Sequence, residues 1–305
     1  MVKLIDFSPK HDVLIRNEDG SLQPMDEPFF EPIKIAPGTW RILSDGDYQY
    51  LVEGDNEAIL IDSGYGAGNI REMAQTLTEK PLRYVFNTHE HFDHTANNAY
   101  FEKAFMTAGT AERATIPFPS FAGIEFPRDY PIEIVSAGFV YDLGGRTLEV
   151  FEMNFHAHSM LMLDRKERIL FSGDEIFATG GGPRAPRTVE EYASQLGKIM
   201  EHRSEFDHLC AGAWAMIDAS ITDKLYESAL YVLNGGEGEK MEGGGFRRRE
   251  KEYLPDGTRV IERMHPRPED QGGGAQMKKP DFVPDMRVVT KFGTRFTYDA
   301  NFIKG

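Results

Sequence analysis

Cysteine is nearly absent from this chain. The single residue, Cys210, excludes an internal disulfide and fits a reducing compartment. Long apolar runs are missing too. Stretches such as 58–61 (Ala-Ile-Leu-Ile) span a few residues, far short of the roughly 20 that a transmembrane helix needs. Positive charge is scarce, with 34 Lys and Arg against 49 Asp and Glu and a formal net charge of −15. That balance argues against a general nucleic-acid binder and against docking on an anionic membrane. The first residues lack a charged start, a long apolar core and a small-residue cleavage site. The expectation is therefore a cytoplasmic protein acting on a small molecule. What the chain does have is length. Its 305 residues, 40% of them hydrophobic, can bury a large core without disulfides.

The organisation falls into three parts. Residues 1–37, punctuated by Pro9, Pro24, Pro28, Pro32 and Pro37, read as an N-terminal lead-in with one strand expected in it. Residues 38–233 carry the main domain. Apolar runs at 40–43, 48–52 and 58–61 predict three strands, and Ile70, Met73, Ala74 and Leu77 predict a helix over about 68–79. A buried strand at 83–86 leads into a helix starting near Asp93. After a proline-rich loop (116–131) come strands at 132–135, 147–153, 160–163 and 169–171. Thr188 and Glu191 form a capping box ahead of a helix with Tyr192, Leu196, Ile199 and Met200 on its apolar side. A short strand at 209–211 precedes a helix over 220–233, for which Ile221, Leu225 and Leu230 are expected on one face. Strands in runs with interspersed helices predict layered α/β or α+β architecture. Residues 234–305 hold a glycine-rich excursion with the charged patch 247–251, then strands at 286–290 and 295–298. This extension is expected to serve as a linker, a lid whose arginines meet an anionic substrate group, or a homodimer contact.

The chemistry concentrates in Thr88-His89-Glu90-His91-Phe92-Asp93-His94. Three of the nine histidines and the carboxylates of Glu90 and Asp93 fall within six residues, where a buried strand ends and a helix begins. Alternate residues of an extended segment face the same way, so His89 and His91 can converge on one ion. Asp93 and His94, in the turn, point to a neighbouring position. Imidazoles with a carboxylate suit zinc best, with iron or manganese as alternatives. Further ligands are expected at strand ends: His156 after the strand at 148–153, and Asp174 in Phe171-Ser172-Gly173-Asp174. Cys210 reads as a core residue.

The order Ile61-Asp62-Ser63-Gly64, His-x-His-x-Asp-His, a histidine after a strand, then Ser-Gly-Asp resembles the metallo-β-lactamase-fold hydrolase superfamily over about residues 38–235. The resemblance implies a four-layer αββα sandwich with metals held by loops at one edge of the two sheets. Residue by residue, His89, His91 and His156 match the first metal site, Asp93 and His94 the second, and Asp174 the bridging carboxylate. Asp62 matches the acid that orients the metal loop by hydrogen bonds. His158, two residues beyond His156, competes with it as third ligand; the spacing favours His156 and leaves His158 in support. The match has one departure. The superfamily's last motif ends a strand with Gly-His, and here Ala213 stands where that histidine belongs, with His208 on the wrong side of the strand. Either one metal is held tightly, or another group fills the gap.

A cation at such a site lowers the pKa of water from about 16 towards 7. The leading expectation is a metal-dependent hydrolase, with one or two zinc ions, of a small ester, lactone, thioester or amide, with Asp93 orienting the water or moving its proton. Two other classes compete: a mononuclear iron oxygenase on the same scaffold, and a non-catalytic ligand-binding relative, encouraged by Ala213.

Overall fold

A computed structural model describes residues 4–17, 19–114, 124–213, 216–241, 252–262 and 283–305. The chain builds a seven-stranded sheet in sequence order from β3 (Glu31–Ala36), β4 (Thr39–Ser44), β5 (Asp47–Glu53), β6 (Ala58–Ile61), β7 (Leu82–Phe86), β8 (Lys103–Met106) and β9 (Ile132–Ile134). β3 to β6 are antiparallel, and β6 to β9 are parallel. A six-stranded sheet follows, ordered β10 (Val140–Asp142), β11 (Thr147–Met153), β12 (Ser159–Asp164), β13 (Ile169–Gly173), β15 (His208–Ala211), β16 (Ile217–Asp218). Here only β13 and β15 run parallel.

The alternation of side chains along each strand sets the layers. In β6, Ile59 and Ile61 enter a core shared with Leu148, Val150, Met160, Met162 and Phe171 of the second sheet. Ala58 and Leu60 face the other way, towards Ile70 and Ala74 of α1 (Ile70–Gln75) and Phe92 of α2 (Phe92–Thr95). The outer face of the second sheet packs Leu161, Leu163, Leu170 and Leu209 against α4 (Val189–Met200) and α5 (Ser220–Leu233), with α3 (Ala108–Arg113) beside β9. The result is the expected αββα sandwich, and Cys210 lies in its inter-sheet core. Arg146, almost fully buried, ties the sheets together. Its guanidinium donates to the carboxylate of Asp164 in β12 and to the carbonyls of Gly38 (2.8 Å) and Glu53 (3.0 Å) in the other sheet. No helix among the described residues is long and apolar enough to cross a membrane.

The structure departs from the sequence reading in several places. The helix expected over 68–79 spans only Ile70–Gln75, capped by Asn69. It stops because the Gln75 amide donates to the carbonyls of Thr78 and Lys80 and accepts from Leu82 N–H, folding the next residues into a turn. The large sheet begins before residue 38, inside the expected lead-in, and its outer strand is β3. Its exposed, Pro32-containing pattern hid it, and an edge strand is where proline is tolerated. β1 (Val13–Arg16) and β2 (Leu22–Pro24) form a third sheet with β18 (Glu252–Tyr253) and β19 (Arg259–Glu262). The carboxyl end, too, joins the body. β20 (Met286–Val289) and β21 (Arg295–Asp299) make a sheet with β14 (Gly180–Gly181) and β17 (Glu239–Lys240), and insert Val289, Phe296 and Tyr298 into the core beneath α4 and α5. The arginine patch and the two triple-glycine runs lie outside the described residues.

α4 opens with the expected capping box, Glu191 N–H to Thr188 Oγ1 at 3.1 Å and Thr188 N–H to Glu191 Oε2 at 2.8 Å. On α5 the buried face is Ile221, Leu225, Ala229 and Val232, whereas Leu230 is 37% exposed. Leu230 sits nine residues from Ile221, about half a turn round the helix, so it belongs to the other side. Leu225→Ala should therefore cost about 2–5 kcal/mol in urea unfolding, and Leu230→Ala less than about 0.5 kcal/mol. Equal losses at the two positions would refute this face.

Candidate metal centre

Strand ends converge at one edge of the sandwich. The carboxyl ends of the parallel strands β6 and β7 deliver Asp62 and then Thr88 to His94. The β11–β12 loop delivers His156, the end of β13 delivers Asp174, and the end of β15 delivers Gly212. Crevices outside the carboxyl ends of parallel strands are where α/β sheets gather polar groups.

Asp62 organises the first loop. Its backbone is in the left-handed region (φ 60°), which aspartate tolerates better than most residues. One carboxylate oxygen accepts from Thr88 N–H (2.7 Å); the other accepts from Thr88 Oγ1 (2.8 Å) and faces His94 Nδ1 (2.8 Å). Because the Thr88 hydroxyl donates to Asp62, it is left to accept from His89 Nδ1–H at 3.0 Å. Both imidazoles are thereby turned so that their Nε2 atoms face the interior of the cluster, and both atoms are buried without a hydrogen-bond partner. Gly173 (φ 49°) allows this packing, since a Cβ there would stand 2.5 Å from Thr88 Oγ1.

Three groups of ligand atoms, each mutually within 4.8 Å, result: His89, His91 and His156; His89, His94 and Asp174; and Asp47, Asp93 and His94. The four rings are close, with His89 centroids 4.6 Å from His91, 4.1 Å from His94 and 5.0 Å from His156. Asp174 lies between the two sides, Oδ2 3.5 Å from His156 Nε2 and Oδ1 3.7 Å from His94 Nε2. The structure thus brings together all six residues named as ligands in the sequence.

His158 is elsewhere. Its Nδ1 faces Glu90 Oε1 at 2.8 Å, its backbone N–H donates to Glu90 Oε2 at 2.9 Å, and the Arg113 guanidinium lies 2.8 Å from its Nε2. With both ring nitrogens engaged, it has no lone pair for a cation. His208 is the first residue of β15, at the far end of that strand from Gly212.

The electrostatics suit a cation. Burial, reinforced by neighbouring imidazoles, holds His89 well below the usual imidazole range, and burial with the Arg184 charge does the same to His156. His94 behaves in the opposite way: burial pulls it down, but Asp62, Asp174 and Asp93 outweigh burial and raise it well above that range. Burial pushes Asp174 up to about 6 and, with Asp93 adding its charge, Asp47 far above the usual carboxylate range. Buried carboxylates crowded on one another, with orphaned atoms at His89 Nε2, His94 Nε2, His156 Nδ1, Asp93 Oδ1 and Asp174 Oδ1, are what a divalent ion satisfies. The donor set fits the ion that the resemblance implies.

Two supporting residues were not found from sequence. Glu175, fully buried, accepts from the backbone N–H groups of Phe155, His156 and Ala157 (3.0–3.3 Å) and so fixes the loop carrying His156. Its adjacency to Asp174 was the only available signal. Asp47 follows a two-residue Asp45-Gly46 turn, where spacing carries no hint of a ligand. If Asp62 acts by aiming His89 and His94, Asp62→Asn should weaken metal retention about 10- to 100-fold. His158→Ala should leave retention near wild type. Metal content after gel filtration checks both, and a His158→Ala protein stripped of metal would overturn the assignment of His156.

Residues 46–238 match the family model described as the metallo-beta-lactamase superfamily. The acyl-coenzyme A thioesterase MBLAC2 of Gallus gallus is 26% identical over 223 residues, covering 61% of this chain and 78% of that one. Its Homo sapiens counterpart is 27% identical over 42% of this chain and 57% of its own length. The hydroxyacylglutathione hydrolase of Prochlorococcus marinus (strain MIT 9312) is 22% identical, over 52% of this chain and 61% of its own. The chain thus spans less than two thirds of the human and cyanobacterial relatives. Among solved structures, a metallo-beta-lactamase from Pontibacter korlensis superposes with a TM-score of 0.52 at 17% identity, over 66% of this chain and 99% of that one. FIM-1 from Pseudomonas aeruginosa, in its mono-zinc form, gives 0.51 at 14% identity, over 68% and 98%. At these identities the structural likeness speaks for the fold, and the family match covers well over half of the chain. The chain belongs to the metallo-beta-lactamase superfamily of hydrolytic enzymes.

Proposed function

We propose that the protein hydrolyses a thioester whose acyl group rides on a small anionic carrier, with a divalent metal, zinc in the first instance, held by His89, His91 and His156. The observation that carries the reading is the convergence of unpaired imidazole and carboxylate atoms at one sheet edge. The relatives named for acyl-coenzyme A and hydroxyacylglutathione support the choice of acyl carrier.

Bound there, the cation makes water acidic enough to supply a nucleophile near neutral pH and polarises a carbonyl. The chain's own groups do the rest. Asp93 lies in the first turn of the short helix α2 and turns a buried, unpartnered Oδ1 towards the cluster, so it orients the water and accepts its proton. Water adds to the acyl carbon, the C–S bond breaks, and Asp93 returns the proton to the departing sulfur, leaving a thiol and a carboxylic acid that gives its own proton to solvent. Arg184 is exposed and its charge bears on His89, His156 and Asp174, which supports a position for it at the mouth of the site. There it pairs with the carrier's phosphate or carboxylate.

Thiol release from acyl-coenzyme A and acyl-glutathione substrates tests the proposal. Chelator-treated protein should be inactive and recover with added metal, and His89→Ala or His91→Ala should lose metal and turnover together. Arg184→Ala should raise KM for these substrates about tenfold, an interaction of about 1.4 kcal/mol, and leave an uncharged thioester unaffected. Thiol release that persists without metal, or is absent with every metal tried, would refute the reading.

A further inference from the structure

The superfamily resemblance leaves the second metal position one ligand short, because Ala213 carries only a methyl group. The structure brings another donor to that place. After β15 the chain passes directly over the cluster: a Cβ on Gly212 would stand 2.5 Å from Asp174 Oδ1 and 2.5 Å from His94 Cε1. The strand alongside is β5, since Tyr48 N–H donates to the Gly212 carbonyl at 2.7 Å. The residue before Tyr48 is Asp47, which is 4% exposed. One of its carboxylate oxygens lies within 4.8 Å of the ligand atoms of both Asp93 and His94. Donors about 2.0–2.2 Å from one tetrahedral ion stand about 3.4 Å apart, so groups already within 4.8 Å of one another close on an ion by drawing together about 1.4 Å or less.

We propose that Asp47 is the missing ligand, completing with Asp93, His94 and Asp174 a carboxylate-rich second metal position from the strand opposite to Ala213. The inference rests on the metal-dependent reading above. Two independent features point at the ion. His94 Nε2 and Asp93 Oδ1 are buried and unpartnered beside Asp47, and His94 is held in that orientation by Asp62. Asp47 is rigidly presented as well: it pairs with Ser44 across the two-residue turn Asp45-Gly46, with Asp45 in the left-handed region (φ 60°). Exchanging an imidazole for a carboxylate also changes the preference of the position. Three carboxylates and one imidazole make a harder donor set than the three imidazoles next door, so Mn²⁺ or Fe²⁺ should compete well with Zn²⁺ there.

The full chain, stripped with chelator, is titrated with Mn²⁺ and separately with Zn²⁺ by calorimetry, and bound metal is counted by mass spectrometry. Wild type should take two equivalents. Asp47→Asn should keep the first and bind the second at least tenfold more weakly, the loss being greatest for Mn²⁺. Asp47→Asn with Ala213→His should regain a second Zn²⁺. Asp47→His, which exchanges the carboxylate for an imidazole, should keep the second equivalent and move its preference towards Zn²⁺ by at least tenfold, and it decides the matter should the Asp47→Asn protein misfold. Unchanged binding of two equivalents by Asp47→Asn, an unchanged preference in Asp47→His, or a wild type that takes one equivalent would each overturn the role of Asp47 and leave the metal-dependent reading standing. A wild type that binds no metal would sink both.

Discussion

The carboxylate of Asp62, at the end of β6, accepts from the Thr88 amide and hydroxyl and faces His94 Nδ1, and through the Thr88 hydroxyl it also sets the ring of His89. Nearly everything distinctive about the site depends on that one buried group. It consumes the donor side of two imidazoles, so their remaining lone pairs point into the cluster. It holds the loop after β7 against the loop after β6. The cost of a left-handed backbone at Asp62, of order 1–3 kcal/mol, is sustained by the surrounding hydrogen bonds.

The sandwich supplies the frame. Two twisted sheets share an inter-sheet core and are covered outside by helices, so their central strands are buried on both faces and the ends of those strands are held in fixed relation. Loops anchored on such strands can bring buried like charges together, because the core offsets the repulsion. The carboxyl-terminal hairpin contributes to this stability. Phe296 and Tyr298 pack with Tyr192 and Phe155 beneath α4, on the same side of the molecule as Glu175 and the His156 loop. A segment that looked like an appendage therefore buttresses a ligand loop.

Much of the fold was legible because local patterns are strong where both faces of a strand are buried or where a helix start is marked. The runs at 58–61 and 169–171 and the Thr188–Glu191 box are examples. The misreadings have separate physical causes. The edge strand β3 is mostly exposed, and its alternation is confined to Ile33-Lys34-Ile35 beside Pro32. The helix α1 is cut short by a side-chain clasp from Gln75 that no periodicity reveals. Leu230 is a solvent-facing leucine on a helix whose true stripe is completed by the small residue Ala229.

The amino-acid order alone determined the donor types and their strand-end placement. His89, His91, Asp93 and His94 lie close together along the chain, so local geometry suffices to bring them near one another. It also showed that a histidine is missing at 213. Only the tertiary structure decided which distant groups join them. His156 reaches the cluster while His158 is drawn away by Glu90 and Arg113, and Asp47 arrives from a strand far upstream of the histidine loop. Pairing between β5 and the chain after β15 is a long-range contact, and no spacing in one sequence encodes which carboxylate it will deliver.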